Sequence, residues 1–166
     1  MAKITFHGNT VNTVGSLPSI GSKAPDFKLT ANNLSEKSLA DYQGKQVILN
    51  IFPSLDTGTC AASVRTFNKE AAALDNTVVL CISRDLPFAQ KRFCEAEGIN
   101  NVEVLSEFRD TNFSDAYPVK MTDGPLAGLF SRSVIVLDTE GNVKYSEHVA
   151  EVTDEPDYTK AISQLG

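Results

Sequence analysis

The sequence is poor in the residues that bind metals or build disulfide frameworks. Its only histidines, His7 and His148, lie far apart, and its three cysteines form no CxxC pair. A zinc site needs about four clustered ligands, and none is visible, so no metal or cofactor is expected. An odd number of cysteines in a chain of this size argues against a structural disulfide framework. The thiols are therefore either buried core residues or redox-active groups.

Long apolar runs and excess positive charge are also missing. No stretch approaches the roughly 20 apolar residues of a membrane-spanning helix. The formal charge of −6 disfavours nucleic acid or an anionic membrane as the main partner. The first residues, 1–8, lack the apolar segment of a signal peptide, which leads us to expect a cytoplasmic protein. A length of 166 residues fits a single domain spanning 1–166.

The middle of the chain alternates between apolar runs and helical patterns. Val47–Phe52 and Thr77–Ile82 read as buried strands, and 60–74 reads as a helix with an apolar stripe. A second helix is expected to be capped by Asp85, to hold Pro87 in its first turn and to end at Gly98. The remaining predicted elements are an N-terminal hairpin (4–6 and 11–14), a strand at 102–105, a helical stretch within 108–117, a hairpin (133–137 and 143–149) and a C-terminal helix from Glu155. The pattern predicts an α/β fold, a thioredoxin-like sandwich with a central mixed sheet and an N-terminal β-hairpin.

A single cysteine stands where the first predicted buried strand passes into a helix. Cys60 follows the polar loop 53–59 and lies in the first turn of the helix. The free backbone N–H groups and the positive end of the helix dipole favour a thiolate there, and the thiolate is the nucleophilic form. Read alone, a cysteine is often only a small buried residue. Its position at the helix start and the polar loop before it favour a nucleophile.

The residues around Cys60 resemble a known family. Pro53-x-x-x-Thr57-x-x-Cys60 is similar to the active-site signature of the peroxiredoxins. Further runs of the sequence resemble the bacterial thiol peroxidases, an atypical 2-Cys subgroup of this family. These runs are 50–54, 56–65, 83–90, 92–94, 123–129 and 155–158. The resemblance covers nearly the whole chain, including the N-terminal hairpin.

This resemblance implies a function and a set of site residues. The family reduces hydrogen peroxide and organic hydroperoxides in antioxidant defence. It implies Cys60 as the peroxidatic cysteine, which forms a sulfenic acid, and Cys94 as the resolving cysteine, which forms a disulfide with it in the same subunit. Thioredoxin is the implied reductant, a homodimer packed near the active-site loops is implied, and Pro53, Thr57 and Arg132 complete the pocket. Cys81, inside a predicted buried strand, is expected to have no chemistry.

Two other classes of function stay open from the residues. A thioredoxin-like module that carries disulfides or senses oxidants has the same fold, because one fold hosts many functions. The missing CxxC counts against a carrier. A cysteine hydrolase would need a histidine base near Cys60. Because His7 and His148 both lie outside the predicted βαβ core, a hydrolase is the weaker alternative.

Overall fold

The fold is organised around one large mixed sheet, and the computed structural model of the protein describes residues 2–166. The strands are β1 (Lys3–Phe6), β2 (Asn9–Asn12), β3 (Leu29–Ala31), β4 (Glu36–Lys37), β5 (Gln46–Ile51), β6 (Thr77–Ser83), β7 (Glu103–Ser106), β8 (Ser133–Leu137) and β9 (Val143–His148). The helices are α1 (Gly58–Ala71), α2 (Pro87–Glu97), α3 (Asn112–Ala116) and α4 (Tyr158–Ile162), with a 3-10 turn at Leu39–Tyr42.

Seven strands form the sheet in the order β4-β3-β7-β6-β5-β8-β9. Strands β5, β6 and β7 are parallel, because α1 and α2 return the chain to the same edge. Strand β8 runs antiparallel to β5 and forms a hairpin with β9. The prediction of a thioredoxin-like α/β sandwich with a mixed central sheet is confirmed. A practical consequence is that the carboxyl ends of β5 and β6 meet at one edge.

Each face of the sheet carries its own core. All six residues of β5 are buried, as the continuous apolar run predicts for a strand covered on both faces. Helices α1, α2 and α4 cover one face, where Ile48, Phe67 and Cys81 are fully buried. The other face is filled by aliphatic side chains together with aromatic rings, among them the stacked pair of Phe113 and Tyr117 at 4.8 Å. Cys60 belongs to the first core, and Cys94 packs against it.

The N-terminal hairpin of β1 and β2 is present and stands outside the main sheet. Its turn is His7–Gly8, where both residues have positive φ, 51° and 80°. Such a two-residue turn suits the right-handed twist of a hairpin. The carboxylate of Glu151 accepts hydrogen bonds from both turn amides, at 3.2 and 2.8 Å. The hairpin is thus fastened to the segment that follows β9.

Helix boundaries differ from the sequence prediction at several points. The C-terminal helix starts at Tyr158 rather than Glu155, because the Asp157 carboxylate caps it by accepting from the amide of Lys160. The stretch 108–117 is helical only over Asn112–Ala116. Helix α1 is predicted to reach Leu74 but ends at Ala71. Helix α2 ends at Gly98 as predicted, with a left-handed φ of 66°.

One expectation about the start of α2 is wrong. Asp85 does not cap the helix: the N-cap position is Leu86, with no side-chain hydrogen bond, and the Asp85 carboxylate faces the loop before α1 instead. In the first turn of α2, Phe88 is 67% exposed, and its neighbour Leu86 is 53% exposed. The first turn of α2 therefore presents an apolar surface to solvent.

Candidate active site

The loop between β5 and α1 delivers Cys60 to the carboxyl edge of the sheet. Pro53 is buried directly after the strand, whereas Asp56, Thr57 and Gly58 are exposed. Thr57 is the N-cap of α1, and its hydroxyl accepts from the backbone N–H of Cys60 at 3.4 Å. Cys60 is consequently the third residue of the helix and is fully buried. A thiol at this position lies among the free amides of the first turn.

Arg132 lies against the thiol of Cys60. Its Nη2 donates to Cys60 Sγ at 3.2 Å. The pairing of β5 with β8 explains this contact, because Ile51 opposes Ser133 and the two chains continue outward from that pair. The residue before β8 therefore comes beside the loop after β5. Both Cys60 and Arg132 are almost completely buried, at 0% and 1% exposure.

The charge of Arg132 is held in place without a carboxylate partner. Its Nε donates to the backbone carbonyl of Val152 at 3.0 Å. Within residues 2–166, no carboxylate forms an ion pair with this guanidinium, and its buried Nη1 has no hydrogen-bond partner. The Val152 segment is tied to α1 in turn, since Thr59 Oγ1 donates to the carbonyl of Thr153 at 3.0 Å. The guanidinium thus contacts the Cys60 sulfur through Nη2, with no carboxylate among residues 2–166 to neutralise it, and keeps one buried donor without a partner.

Cys94 lies on α2, in a more open environment than Cys60. It is half-buried, and Asn32 Nδ2 lies 3.8 Å from its sulfur. Burial raises the pKa of the Cys94 thiol above its ordinary value, and the Asn32 contact opposes that effect. The thiol lines a groove of about 350 Å³ together with Lys37 and Glu103. Cys94 is accessible to an incoming thiol, whereas Cys60 is not.

Cys81 is buried in β6, as expected. Its exposure is 0%, and burial raises the pKa of its thiol to about 12. Asn50 on the neighbouring strand donates to its sulfur at 3.7 Å. A thiol with that pKa is protonated near neutral pH and is a poor nucleophile. All three cysteines are free thiols, so the structure represents the reduced protein.

Asp85 lies outside the immediate surroundings of the Cys60 sulfur and contacts the loop that carries Cys60, a different role from the helix cap predicted from the sequence. Its carboxylate accepts from Ser54 Oγ at 2.7 Å and from the backbone N–H of Leu55 at 2.8 Å, both in the Cys60 loop. It also accepts from Ser83 Oγ at 2.6 Å. The sequence could have indicated this contact, because Ser54 and Asp85 follow two parallel strands, and residues after neighbouring parallel strands meet at one edge of the sheet.

Neither histidine lies in the site. His7 is exposed in the hairpin turn. His148 is on the edge strand β9, where its Nε2 lies 2.7 Å from Ser131 Oγ, and burial lowers its pKa. Among the hydrogen bonds of residues 2–166, neither imidazole contacts Cys60. The arrangement of a Cys–His hydrolase is not present in this part of the chain.

Other features of the described chain do not add a second catalytic centre. A cavity of about 610 Å³ lies at the opposite end of the sheet and is lined by residues such as Lys23, Tyr42 and Glu140. Residues 2–166 contain no group of three or more acidic, histidine or cysteine side chains placed to hold a metal ion. No helix in that range is long and apolar enough to cross a membrane.

A mixed thioredoxin-like sheet that presents a buried cysteine at a helix start, with an arginine against its sulfur, defines a thiol-based redox protein. The family model described as Redoxin matches residues 19–162 of the chain. "Thiol peroxidase" of Mycobacterium tuberculosis strain H37Rv is 54% identical over 166 residues, covering 100% of this chain and 99% of the relative. The same name and identity apply to a relative from Mycobacterium bovis.

Solved structures agree with this assignment. A peroxiredoxin-like protein from Aquifex aeolicus superposes with a TM-score of 0.92 at 36% identity, covering 98% of this chain and 94% of that one. The thiol peroxidase from Chromobacterium violaceum has the same fold, with a TM-score of 0.89 at 22% identity and 97% and 93% coverage. The chain belongs to the redoxin family, in its thiol peroxidase group, which confirms the resemblance drawn from the motifs.

Proposed function

We propose that this protein is a thiol-dependent peroxidase that reduces hydrogen peroxide and organic hydroperoxides through Cys60. The observation that carries the proposal is the contact of 3.2 Å between Arg132 Nη2 and Cys60 Sγ, in a buried site with no competing carboxylate among the described residues. A fixed positive charge at that distance favours an anionic sulfur and the negative charge that develops on a departing oxygen. Family membership makes the same activity the expected one.

The first step is an attack by the Cys60 thiolate on the terminal oxygen of ROOH. The sulfur–oxygen bond forms as the oxygen–oxygen bond breaks, and the alkoxide leaves and takes a proton to give the alcohol. Cys60 is oxidised to a sulfenic acid, and the peroxide is reduced. The buried Nη1 of Arg132, which has no partner within residues 2–166, is the donor available to a peroxide oxygen.

Thr57 and Pro53 have supporting roles in this proposal. The Thr57 hydroxyl accepts from the amide of Cys60 and so fixes the first turn of α1. Its own proton is donated to the carbonyl of Ser54 at 3.2 Å. Pro53 is buried at the end of β5, where its ring displaces water from the site without removing a needed N–H donor.

Cys94 is the proposed resolving cysteine. Its thiolate attacks the sulfenic sulfur of Cys60, a disulfide forms, and the hydroxyl leaves with a proton as water. A disulfide requires Cα atoms about 4.4–6.8 Å apart, and both residues are held in separate helices in the reduced structure. We therefore infer that a helix end opens locally in each cycle. The half-buried Cys94 is then the sulfur that a dithiol attacks, with Cys60 as the leaving thiolate.

Thioredoxin is the proposed dithiol, and the cytoplasm is the proposed location. A homodimer is also part of the proposal, and its support is the pair of exposed apolar side chains Leu86 and Phe88 at the start of α2. Isolated exposed apolar residues are common, but adjacent ones beside a site mark a contact surface more often.

The experiment follows NADPH consumption with purified protein, thioredoxin, thioredoxin reductase and cumene hydroperoxide. Wild type should turn over continuously, and Cys60→Ser should not. Cys94→Ser should oxidise once and then stop, whereas Cys81→Ser is the matched control and should keep its turnover. A single oxidation of Cys60 in wild type without recycling would support an oxidant sensor instead. Normal recycling in Cys94→Ser would move the resolving role to another thiol.

A further inference from the structure

We propose that Asp85 is a positioning residue that holds the Cys60 loop closed and thereby sets how often Cys60 can reach Cys94. The inference rests on the proposed Cys60–Cys94 disulfide and concerns the step that leads to it. Asp85 contacts neither sulfur directly in the structure, so it acts through the loop.

The Asp85 carboxylate accepts from three donors that come from two parts of the chain, the loop before α1 and the end of β6. Ser54 Oγ donates to Oδ1, and the backbone N–H of Leu55 and the hydroxyl of Ser83 donate to Oδ2. Hydrogen bonds to an ionised carboxylate are roughly twice as strong as those between neutral groups. The two bonds from Ser54 and Leu55 join the loop before α1 to the start of α2, about 30 residues away in the chain.

A continuous chain of hydrogen bonds runs from Asp85 to the amide of Cys60. Asp85 holds the side chain of Ser54, and the Ser54 carbonyl accepts from Thr57 at both N–H and Oγ1, each at 3.2 Å. Thr57 Oγ1 then accepts from the N–H of Cys60. Release of Ser54 therefore loosens the N-cap of α1, and the first turn that carries Cys60 loses its main constraint.

In this series of hydrogen bonds, the end at Asp85 is fixed, and the end in the loop before α1 is the part that can move. The Asp85 carbonyl accepts from Ser106 on β7, and the fully buried Gln90 Nε2 bonds to Ser83 and to the carbonyl of Leu105. By contrast, residues 56–58 of the loop are exposed. Local opening takes place where exposed backbone has few buried contacts, which favours the start of α1 over the start of α2.

The consequence differs between the two chemical steps. Oxidation uses the closed loop, in which Cys60 faces Arg132, and disulfide formation uses the open loop. If the closed form dominates, a shift of about tenfold toward the open form scarcely lowers the closed population but raises the open one about tenfold. Weakening the Asp85 contacts should then accelerate disulfide formation and leave oxidation nearly unchanged.

The test is Asp85→Asn, because an amide offers one acceptor oxygen where three donors converge, and the N–H of Leu55 cannot reverse its role. Reduced protein is mixed with one equivalent of hydrogen peroxide, acid-quenched, alkylated and analysed by mass spectrometry. We expect the disulfide to form about tenfold faster from the sulfenic acid, with the oxidation rate within twofold of wild type. The peroxide concentration that drives Cys60 to sulfinic acid should rise by a similar factor.

Two control variants separate the loop effect from general loss of structure. Ser54→Ala removes the side-chain bond between the loop and Asp85, together with the acceptor of the exposed Asp56 N–H at 3.2 Å. It should accelerate disulfide formation, as Asp85→Asn does. Asp138→Asn alters a carboxylate that accepts from two turn amides at 2.9 Å, at the other end of β8, and it should change neither step. A merely structural role of Asp85 would not accelerate any step.

The outcomes are distinguishable from failure of the proposed function. If wild type forms no Cys60–Cys94 disulfide, the proposed cycle is wrong regardless of Asp85. If wild type forms it and Asp85→Asn forms it at the same rate or more slowly, the positioning role is refuted. Acceleration of both oxidation and disulfide formation also refutes it, since Asp85 would then control access of the peroxide.

Discussion

Replacing Arg132 with Met tests the electrostatic basis of the site. The substitution removes a guanidinium that touches Cys60 Sγ at 3.2 Å and retains an unbranched side chain at a fully buried position. Coulomb's law with an effective dielectric constant of about 20 gives an attraction of about 5 kcal/mol between unit charges at that separation. Burial of both groups offsets part of this attraction.

The expected effect on the oxidation rate follows from the attraction that is left after the cost of burial is subtracted. A loss of about 3 kcal/mol in the stabilisation of negative charge on sulfur and on the leaving oxygen corresponds to a fall in the rate of roughly a hundredfold. The oxidation rate of Arg132→Lys should lie between those of wild type and Arg132→Met. A single ammonium keeps the charge but cannot reproduce the guanidinium fork that binds both Val152 and Cys60.

The assay is the second-order rate of Cys60 oxidation by hydrogen peroxide under single-turnover conditions. Arg65→Met is the matched control, since it removes the same charge from α1 itself at an exposed ion pair with Glu97. Because the side-chain hydrogen bonds of Arg65 go to Glu97 at the surface rather than to Cys60, the control should oxidise within about twofold of wild type. Thermal denaturation of each variant establishes that it is folded.

The reasoning would be refuted by an Arg132→Met protein that folds and reacts within threefold of wild type. In that case the amides at the start of α1 would supply the activation without the guanidinium. A loss of equal size in Arg65→Met would point to net charge rather than to the contact with sulfur.

Two further predictions concern the hairpin anchor and the exposed start of α2. Hydrogen bonds from Thr153 and Gly8 lower the pKa of Glu151 to about 2, so its contribution to stability is complete above the unfolded value near 4.5 and is lost as the pH falls toward 2. Urea unfolding at several pH values should show a smaller acid-induced loss in Glu151→Gln, and an unchanged loss would contradict the assignment. Phe88→Ser should leave the free energy of unfolding of the subunit within about 0.5 kcal/mol. In sedimentation velocity we expect it to convert the proposed dimer to monomer, and a dimer that persists would exclude this surface as the interface.

The local pattern of the chain was sufficient for the order of elements and for the nucleophile candidate. The apolar runs of β5 and β6 and the apolar stripe of α1 are periodic in the sequence itself, so these strands and this helix can be predicted without knowledge of tertiary contacts. Thr57 as an N-cap is likewise a local property, since its hydroxyl reaches an amide only three residues on. Helix ends were less predictable, because Asp157 competes with Glu155 as a start signal and only the backbone shows which carboxylate is used.

The relations across the sheet were decided by the tertiary structure. Asp85 was predicted to be a cap because it precedes Pro87, but parallel pairing of β5 and β6 places it beside Ser54 and Leu55, and its carboxylate accepts from their hydroxyl and amide instead. Phe88 carries the hydrophobicity of a core residue, yet its position on α2 faces solvent. Neither outcome follows from local sequence, because the partners of Asp85 are distant in the chain and the exposure of Phe88 depends on how α2 packs on the sheet.

The sequence by itself was enough to identify Cys60 as the candidate nucleophile, because helix-start amides, a cap and a polar loop are all encoded within a few residues of it. Only the tertiary structure decided that Arg132, 72 residues away, has its guanidinium on that sulfur and its Nε on Val152. The physical reason is that the register of the strands decides which residues lie beside each other at the edge of the sheet. A contact between the ends of β5 and β8 depends on every pairing between them rather than on any local signal.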